Sequence, residues 1–173
     1  HTLVIFTSDH GLALGSHGLM GKQNQFEHTI DVPLIVAGPG VPAGRRIEAQ
    51  CYLRDLYPTV CSLAAIATPA SVQGRSLVPV LRGDATEVHE AIFGYFTDAQ
   101  RMVRTPDGWK YIWYPAIGRG QLFHVPTDPD ELRDRSAEPA QQARLDSLKL
   151  RLAQWQRDNH DRARLADASR PTR

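Results

Sequence analysis

Thr2-Leu3-Val4-Ile5-Phe6 runs without a break into Thr7-Ser8-Asp9-His10-Gly11. Residues 2–6 are apolar or β-branched, the pattern of a strand buried on both faces, and polar residues arrive at its carboxyl end. In open parallel α/β sheets, sites collect outside the carboxyl ends of strands, so position alone makes Asp9 and His10 candidates. Val32-Pro33-Leu34-Ile35-Val36-Ala37 is a second strand of the same type, stopped by Gly38-Pro39-Gly40.

Arg45 to Leu53 reads as a short extended segment. Asp55 then stands where a helix N-cap belongs, with Pro58 in the first turn of a helix expected over 56–66. Leu56, Val60, Leu63 and Ala64 recur at helical spacing and predict its buried stripe. Gly74 opens a helical turn that Arg82-Gly83 closes. From about residue 90 the texture changes to short strands at 91–96, 100–104, 109–114 and 121–125. Pro106-Asp107-Gly108 marks a hairpin between the second and third, so this sheet is antiparallel. Leu145, Leu148, Leu152 and Trp155 step by three, four and three, the pattern of an amphipathic helix covering the sheet. The organisation expected is α/β: residues 1–86 as part of one α/β domain, 87–160 as a small α+β subdomain, and 161–173 as a polar, frayed tail.

Composition narrows the function classes. Lys+Arg 20 against Asp+Glu 19 gives a net charge of +1, without the basic excess of a dedicated nucleic-acid binder. There is no apolar run of about eighteen residues to span a bilayer. Cys51 and Cys61 form neither a C-x-x-C pair nor a zinc cluster and read as ordinary buried residues. His28 reads as a packing residue, His89 and His160 as members of solvated runs, and Arg101, Arg104, Lys110 and Arg119 as solvated charges on a sheet face.

The chemistry concentrates in Ser8 to Lys22, which holds one carboxylate, two imidazoles, one ammonium and four glycines. A carboxylate and an imidazole at a strand end can hold a divalent cation, and a Lys on a Gly-rich return can reach a tetrahedral oxyanion. Cation and ammonium around one anion is hydrolase logic. Read from spacing alone, Asp9-His10-Gly11 is equally a turn after a strand, with Gly11 supplying positive φ.

The same block resembles the downstream signature of the sulfatases, in the alkaline-phosphatase superfamily. The resemblance runs through Val4 to Gly11, Leu14-Gly15-Ser16-His17-Gly18, Gly21-Lys22 and Val32-Pro33-Leu34-Ile35 with its Gly-Pro-Gly turn. It continues through Asp55-Leu56-Tyr57-Pro58-Thr59, Gly74-Arg75-Ser76-Leu77, Lys110-Tyr111, Gln121-Leu122-Phe123 and Asp128-Pro129-Asp130-Glu131. It implies the end of an alkaline-phosphatase-like α/β sandwich followed by a small C-terminal antiparallel sheet with one helix. It also implies Asp9 and His10 as two ligands of a divalent cation, usually Ca²⁺, with Mn²⁺ better suited to a nitrogen ligand. Lys22 is implied as the catalytic, sulfate-binding lysine, with His17 a candidate substrate-pocket residue.

Three departures matter. The family's nucleophile is a formylglycine made from a Cys-x-Pro-Ser-Arg type motif near the N-terminus, and neither Cys51-Tyr52-Leu53-Arg54 nor Cys61-Ser62-Leu63-Ala64 fits it. His124 also stands where the family usually has Asp, and Asp31 where many members carry Arg. The expectation is therefore the C-terminal portion of a sulfatase acting on sulfate monoesters, inactive alone. A phosphonate monoester or phosphodiester hydrolase of the same superfamily is the alternative, because its substrates are also tetrahedral oxyanions. A free-standing anion-binding module is the third reading, and a start inside a core strand, leaving unpaired edges, argues against it.

Overall fold

The computed structural model describes residues 1–167. In chain order it contains β1 (Val4–Thr7), α1 (Glu27–Ile30), β2 (Leu34–Ala37), α2 (Leu56–Leu63), α3 (Val78–Arg82), β3 (Ile92–Phe96), β4 (Gln100–Arg104), β5 (Trp109–Tyr114), β6 (Arg119–His124) and α4 (Gln142–Asp158). Contacts group the chain into two compact units, His1–Asp9 with Val32–Ile92 and His10–Asp31 with Phe93 onward. None of the described helices is long and apolar enough to cross a membrane.

In the first unit β1 and β2 pair antiparallel, with Val4 opposite Ala37 and Phe6 opposite Ile35. The parallel reading of these strands is corrected: a continuous apolar run reports burial, not direction. Burial is also one-sided. Ile5 and Val36 are half-buried on one face, whereas Val4, Phe6 and Ile35 stay 56%, 60% and 60% exposed on the other. Arg45 to Leu53, expected as extended, forms no strand, and α2 ends at Leu63, three residues early, where Ala65 turns to φ 55°.

The buried face of α2 is Pro58, Thr59 and Cys61, not the expected stripe. Thr59 causes the difference, since its Oγ1 donates to the Asp55 carbonyl at 2.6 Å and accepts from Leu77 N at 2.8 Å. That hydroxyl turns the helix's polar face toward the Gly74–Leu77 segment. Asp55 does not cap α2. Its carboxylate reaches back to Tyr52 N at 2.7 Å and across to Arg75 N at 2.8 Å, and His89 Nε2 sits 2.7 Å away. His89, expected in a solvated run, is buried by this partner. Gly83, at φ 89°, closes α3 where the sequence places the stop.

The second unit is built on an antiparallel sheet in the order β3-β4-β5-β6. Thr105-Pro106-Asp107-Gly108 makes the β4–β5 hairpin, with Gly108 N donating to Thr105 O at 2.9 Å and Gly108 at φ 81°. The register sets Met102 against Ile112 and Lys110 against Phe123, so these four share a face. Phe26 packs there with Met102, Ile112 and Phe123, flanked by Ile30 and Tyr114. Burying each such side chain is worth about 1.5–3 kcal/mol. Alternation leaves Val103, Tyr111 and Leu122 on the other face, and α4 packs against β4 and β5 through a stripe that includes Leu145, Leu148 and Leu152.

Residues 161–167 are tied down rather than frayed. Asp161 takes the Arg101 guanidinium at 2.6 and 2.8 Å, Trp113 Nε1 donates to Arg164 O at 2.8 Å, and Ala166 is buried. The remainder of the expected tail, 168–173, lies outside the described residues.

Candidate active site

One loop of the second unit, His10 to Lys22, holds the residues singled out from the sequence, except Asp9, which follows β1 and is exposed with its Oδ1 3.5 Å from the Ser8 hydroxyl. His10 begins a loop pinned by Gly11, whose N donates to Thr29 O at 2.8 Å. A Cβ at Gly11 would collide with the His28 carbonyl, so this close passage requires glycine. The loop then closes on itself through Ala13 N to Gly21 O at 3.1 Å and Gly15 N to Leu19 O at 2.8 Å. This closure returns Lys22 to His10, and Lys22 Nζ contacts His10 Nε2.

The tautomer of His10 follows from its other nitrogen. Nδ1 lies 3.0 Å from the Gly11 carbonyl. A carbonyl only accepts, so Nδ1 carries the proton and Nε2 presents its lone pair outward. That lone pair receives the Lys22 ammonium, and it is the form of imidazole that binds a cation. Asp9, the preceding residue in sequence, carries a carboxylate. The donor chemistry of this pair therefore fits a divalent cation, although among the described residues no group of three or more His, Cys, Asp or Glu side chains is arranged to hold one.

His17 occupies a separate place. Its Nε2 donates to Asp130 O at 2.9 Å and its ring stacks on Phe26 at 3.9 Å between centroids. It borders an open cavity of about 540 Å³ together with Glu27, His28, Asp31, Asp130 and Glu131, and neither His10 nor Lys22 lines that cavity. Burial, reinforced by His17 and Lys110, lowers the His28 pKa from its ordinary value.

Beneath the cavity is an ion cluster that the sequence reading missed. Lys110, fully buried, bridges Glu27 Oε1 and Glu131 Oε1 at 2.8 Å each, and Arg104 pairs with Glu27 Oε2 at 2.9 Å. Glu131 Oε2 also accepts from Glu27 N at 2.6 Å. Burial raises the Glu131 pKa against the pull of Lys110. The expectation of solvated charges at Arg101, Arg104 and Lys110 is thus corrected, because each finds a carboxylate far away in sequence.

Comparison with known proteins decides the family. The family of N-sulphoglucosamine sulphohydrolase C-terminal regions matches residues 15–158. The chain belongs to the sulfatases, as a C-terminal portion. This sulfatase portion is 36% identical over 172 residues to the choline-sulfatase of Rhizobium meliloti (strain 1021), covering 94% of the chain and 33% of that relative. A solved 2-O GAG sulfatase superposes with TM-score 0.81 at 29% identity, covering 92% of this chain and 37% of that one. The phosphonate monoester hydrolase of Agrobacterium radiobacter superposes with TM-score 0.71 at 26% identity, over 92% of this chain and 34% of its own. The sulfatase portion described here thus spans about a third of the length of such relatives.

Proposed function

We propose that the chain is the C-terminal portion of a metal-dependent sulfatase that hydrolyses sulfate monoesters, and that it supplies two cation ligands, Asp9 and His10, and an anion-binding ammonium, Lys22. The observation that carries this reading is His10, whose Nδ1 proton is committed to Gly11 O while Nε2 faces Lys22 Nζ. That lone pair serves one partner at a time, so a cation bound at Nε2 would take the place of Lys22 Nζ and leave the ammonium to the anion.

When bound, a divalent cation such as Ca²⁺ or Mn²⁺ supplies positive charge that polarises a sulfate oxygen. Gly11 holds the His10 ring in the required tautomer, and Asp9 contributes the anionic ligand. Lys22 binds a non-bridging sulfate oxygen and neutralises charge that grows there in the transition state. No nucleophile motif lies in this chain, so it has no turnover by itself. A formylglycine is expected in the remainder of the parent protein.

The likeness to a phosphonate monoester hydrolase supports a second reading with the same cation and ammonium and a phosphonate or phosphodiester substrate. Aryl sulfates and aryl phosphonate monoesters offered to the parent protein separate the two by their kcat/KM ratio. For the chain itself, Mn²⁺ titration followed by paramagnetic broadening tests the ligands. The His10 ring signals should broaden first and Asp9→Asn should suppress the effect. Equal broadening in the variant overturns the ligand assignment.

A further inference from the structure

We infer that His17 is a positioning residue: by clasping the Asp128–Leu132 turn it holds the loop from Ala13 to Gly21 closed and so sets Lys22 against His10. The inference deepens the reading above and rests on it for the importance of Lys22. It also gives His17 a role different from the substrate contact expected from the sequence.

At its tip the loop is held by its own backbone hydrogen bonds and by His17. Leu14 and Met20 are 73% and 72% exposed, and Leu14, Gly15, His17 and Gly18 all have positive φ. Non-glycine residues adopt that region only when their surroundings fix them there. At His17 the fixing contacts are visible. Nε2–H donates to Asp130 O at 2.9 Å, and the ring lies nearly parallel, at 12°, on Phe26, a member of the sheet core. With one nitrogen committed and one ring face covered, His17 is occupied as an anchor.

The receiving turn is rigid as well. Asp128 accepts from Leu132 N and Arg133 N at 3.0 and 2.9 Å, and Glu131, at φ 52°, is locked by Glu27 N and Lys110. A fixed carbonyl therefore meets the tip of a loop whose two ends carry His10 and Lys22. Releasing the tip leaves the Ala13–Gly21 and Gly15–Leu19 hydrogen bonds alone to oppose the entropy of opening, so the ends separate more often.

The test uses the 173-residue chain, ¹⁵N-labelled, as wild type, His17→Ala and His17→Gln. Gln keeps an N–H donor at similar reach and loses the ring. In His17→Ala, amide exchange at Ala13 and Gly15 should quicken at least about tenfold while Val103 and Ile112 keep their protection. The His10 Nε2 shift should move toward its value in Lys22→Met, and His17→Gln should restore much of both. Unchanged loop exchange, an unmoved His10 signal, or loss of core protection in step with the loop overturns the positioning role. Inorganic sulfate added to each chain separates the two claims. Loop and His10 responses as expected, with no sulfate perturbation at Lys22 in the wild type, support the clasp and sink the sulfate contact. Unchanged loop and His10 signals, with equal sulfate perturbation in wild type and His17→Ala, sink the clasp and leave the sulfate contact standing.

Discussion

His89 Nε2 lies 2.7 Å from Asp55 Oδ2, and neither side chain is open to solvent. The same carboxylate also binds Tyr52 N and Arg75 N, so one buried group organises three separate stretches of chain. Removing it leaves two amides and an imidazole buried without their acceptor. Asp55→Ala should therefore destabilise the chain by several kcal/mol, since each buried hydrogen-bonding group left unsatisfied costs about 1–3 kcal/mol. His89→Ala should cost less, since Asp55 keeps its two amide donors. Urea denaturation of both single variants and the double variant checks this. An Asp55→Ala midpoint within error of wild type would remove Asp55 from its structural role.

Lys110 stands between Glu27 and Glu131 with no exposure, and Lys110→Met should cost about 3–5 kcal/mol by leaving Glu131 without a cation and Glu27 with Arg104 alone. A pH dependence follows from Glu131. Burial raises its pKa above the ordinary 4.5, so the folded state holds this proton more tightly than the unfolded one. Its contribution is present below 4.5 and is lost as pH rises through the folded value. His28, whose pKa is lowered, acts with the opposite sign below 6.5. Glu131→Gln should remove only the first slope. Denaturation midpoints of wild type and variant, measured from about pH 4 to 8, should converge at the acid end and part toward neutrality.

The hairpin at Pro106-Asp107-Gly108 and the three-four-three spacing in α4 were legible because both are local patterns. The partners distant in sequence were not. Lys110 meets Glu27 across 83 positions and His17 meets Asp130 across 113, and no periodicity carries such pairings. At the candidate site, Asp9, His10 and Lys22 were singled out by their chemistry and their resemblance to a family signature. The direction in which Nε2 of His10 points needed the Gly11 carbonyl. Asp55 misled as a helix cap because an Asp before a helix is read from its neighbours, while its actual partners lie at Tyr52, Arg75 and His89.

Arg101 and Asp161 give an acid-side prediction. The Arg101 hydrogen bonds hold the Asp161 carboxyl well below its ordinary 3.8, so its stabilisation is full above that value and is lost as pH falls through the folded pKa. Arg101→Met should remove this support and shift the acid-unfolding midpoint upward, because Asp161 then protonates nearer its ordinary value. Circular dichroism during acid titration reads that midpoint. An unshifted midpoint would mean that 161–167 contribute nothing to the acid limit.

Lys22 and Asp9 should fail differently in the full-length parent. Lys22 contacts the anion in the proposed reading and holds no cation, so Lys22→Ala should lower kcat/KM by roughly a hundred- to thousand-fold, equivalent to about 2.7–4 kcal/mol of transition-state stabilisation. Metal content should stay near wild type. Asp9→Asn should reduce metal content and turnover together, because the carboxylate would hold the cation that orders nucleophile and substrate. Metal analysis beside steady-state kinetics on both variants makes the comparison. The ammonium also touches His10 Nε2, so equal metal loss in the two variants would mean that Lys22 acts on the ligand, and the sulfate contact would then have to be sought elsewhere.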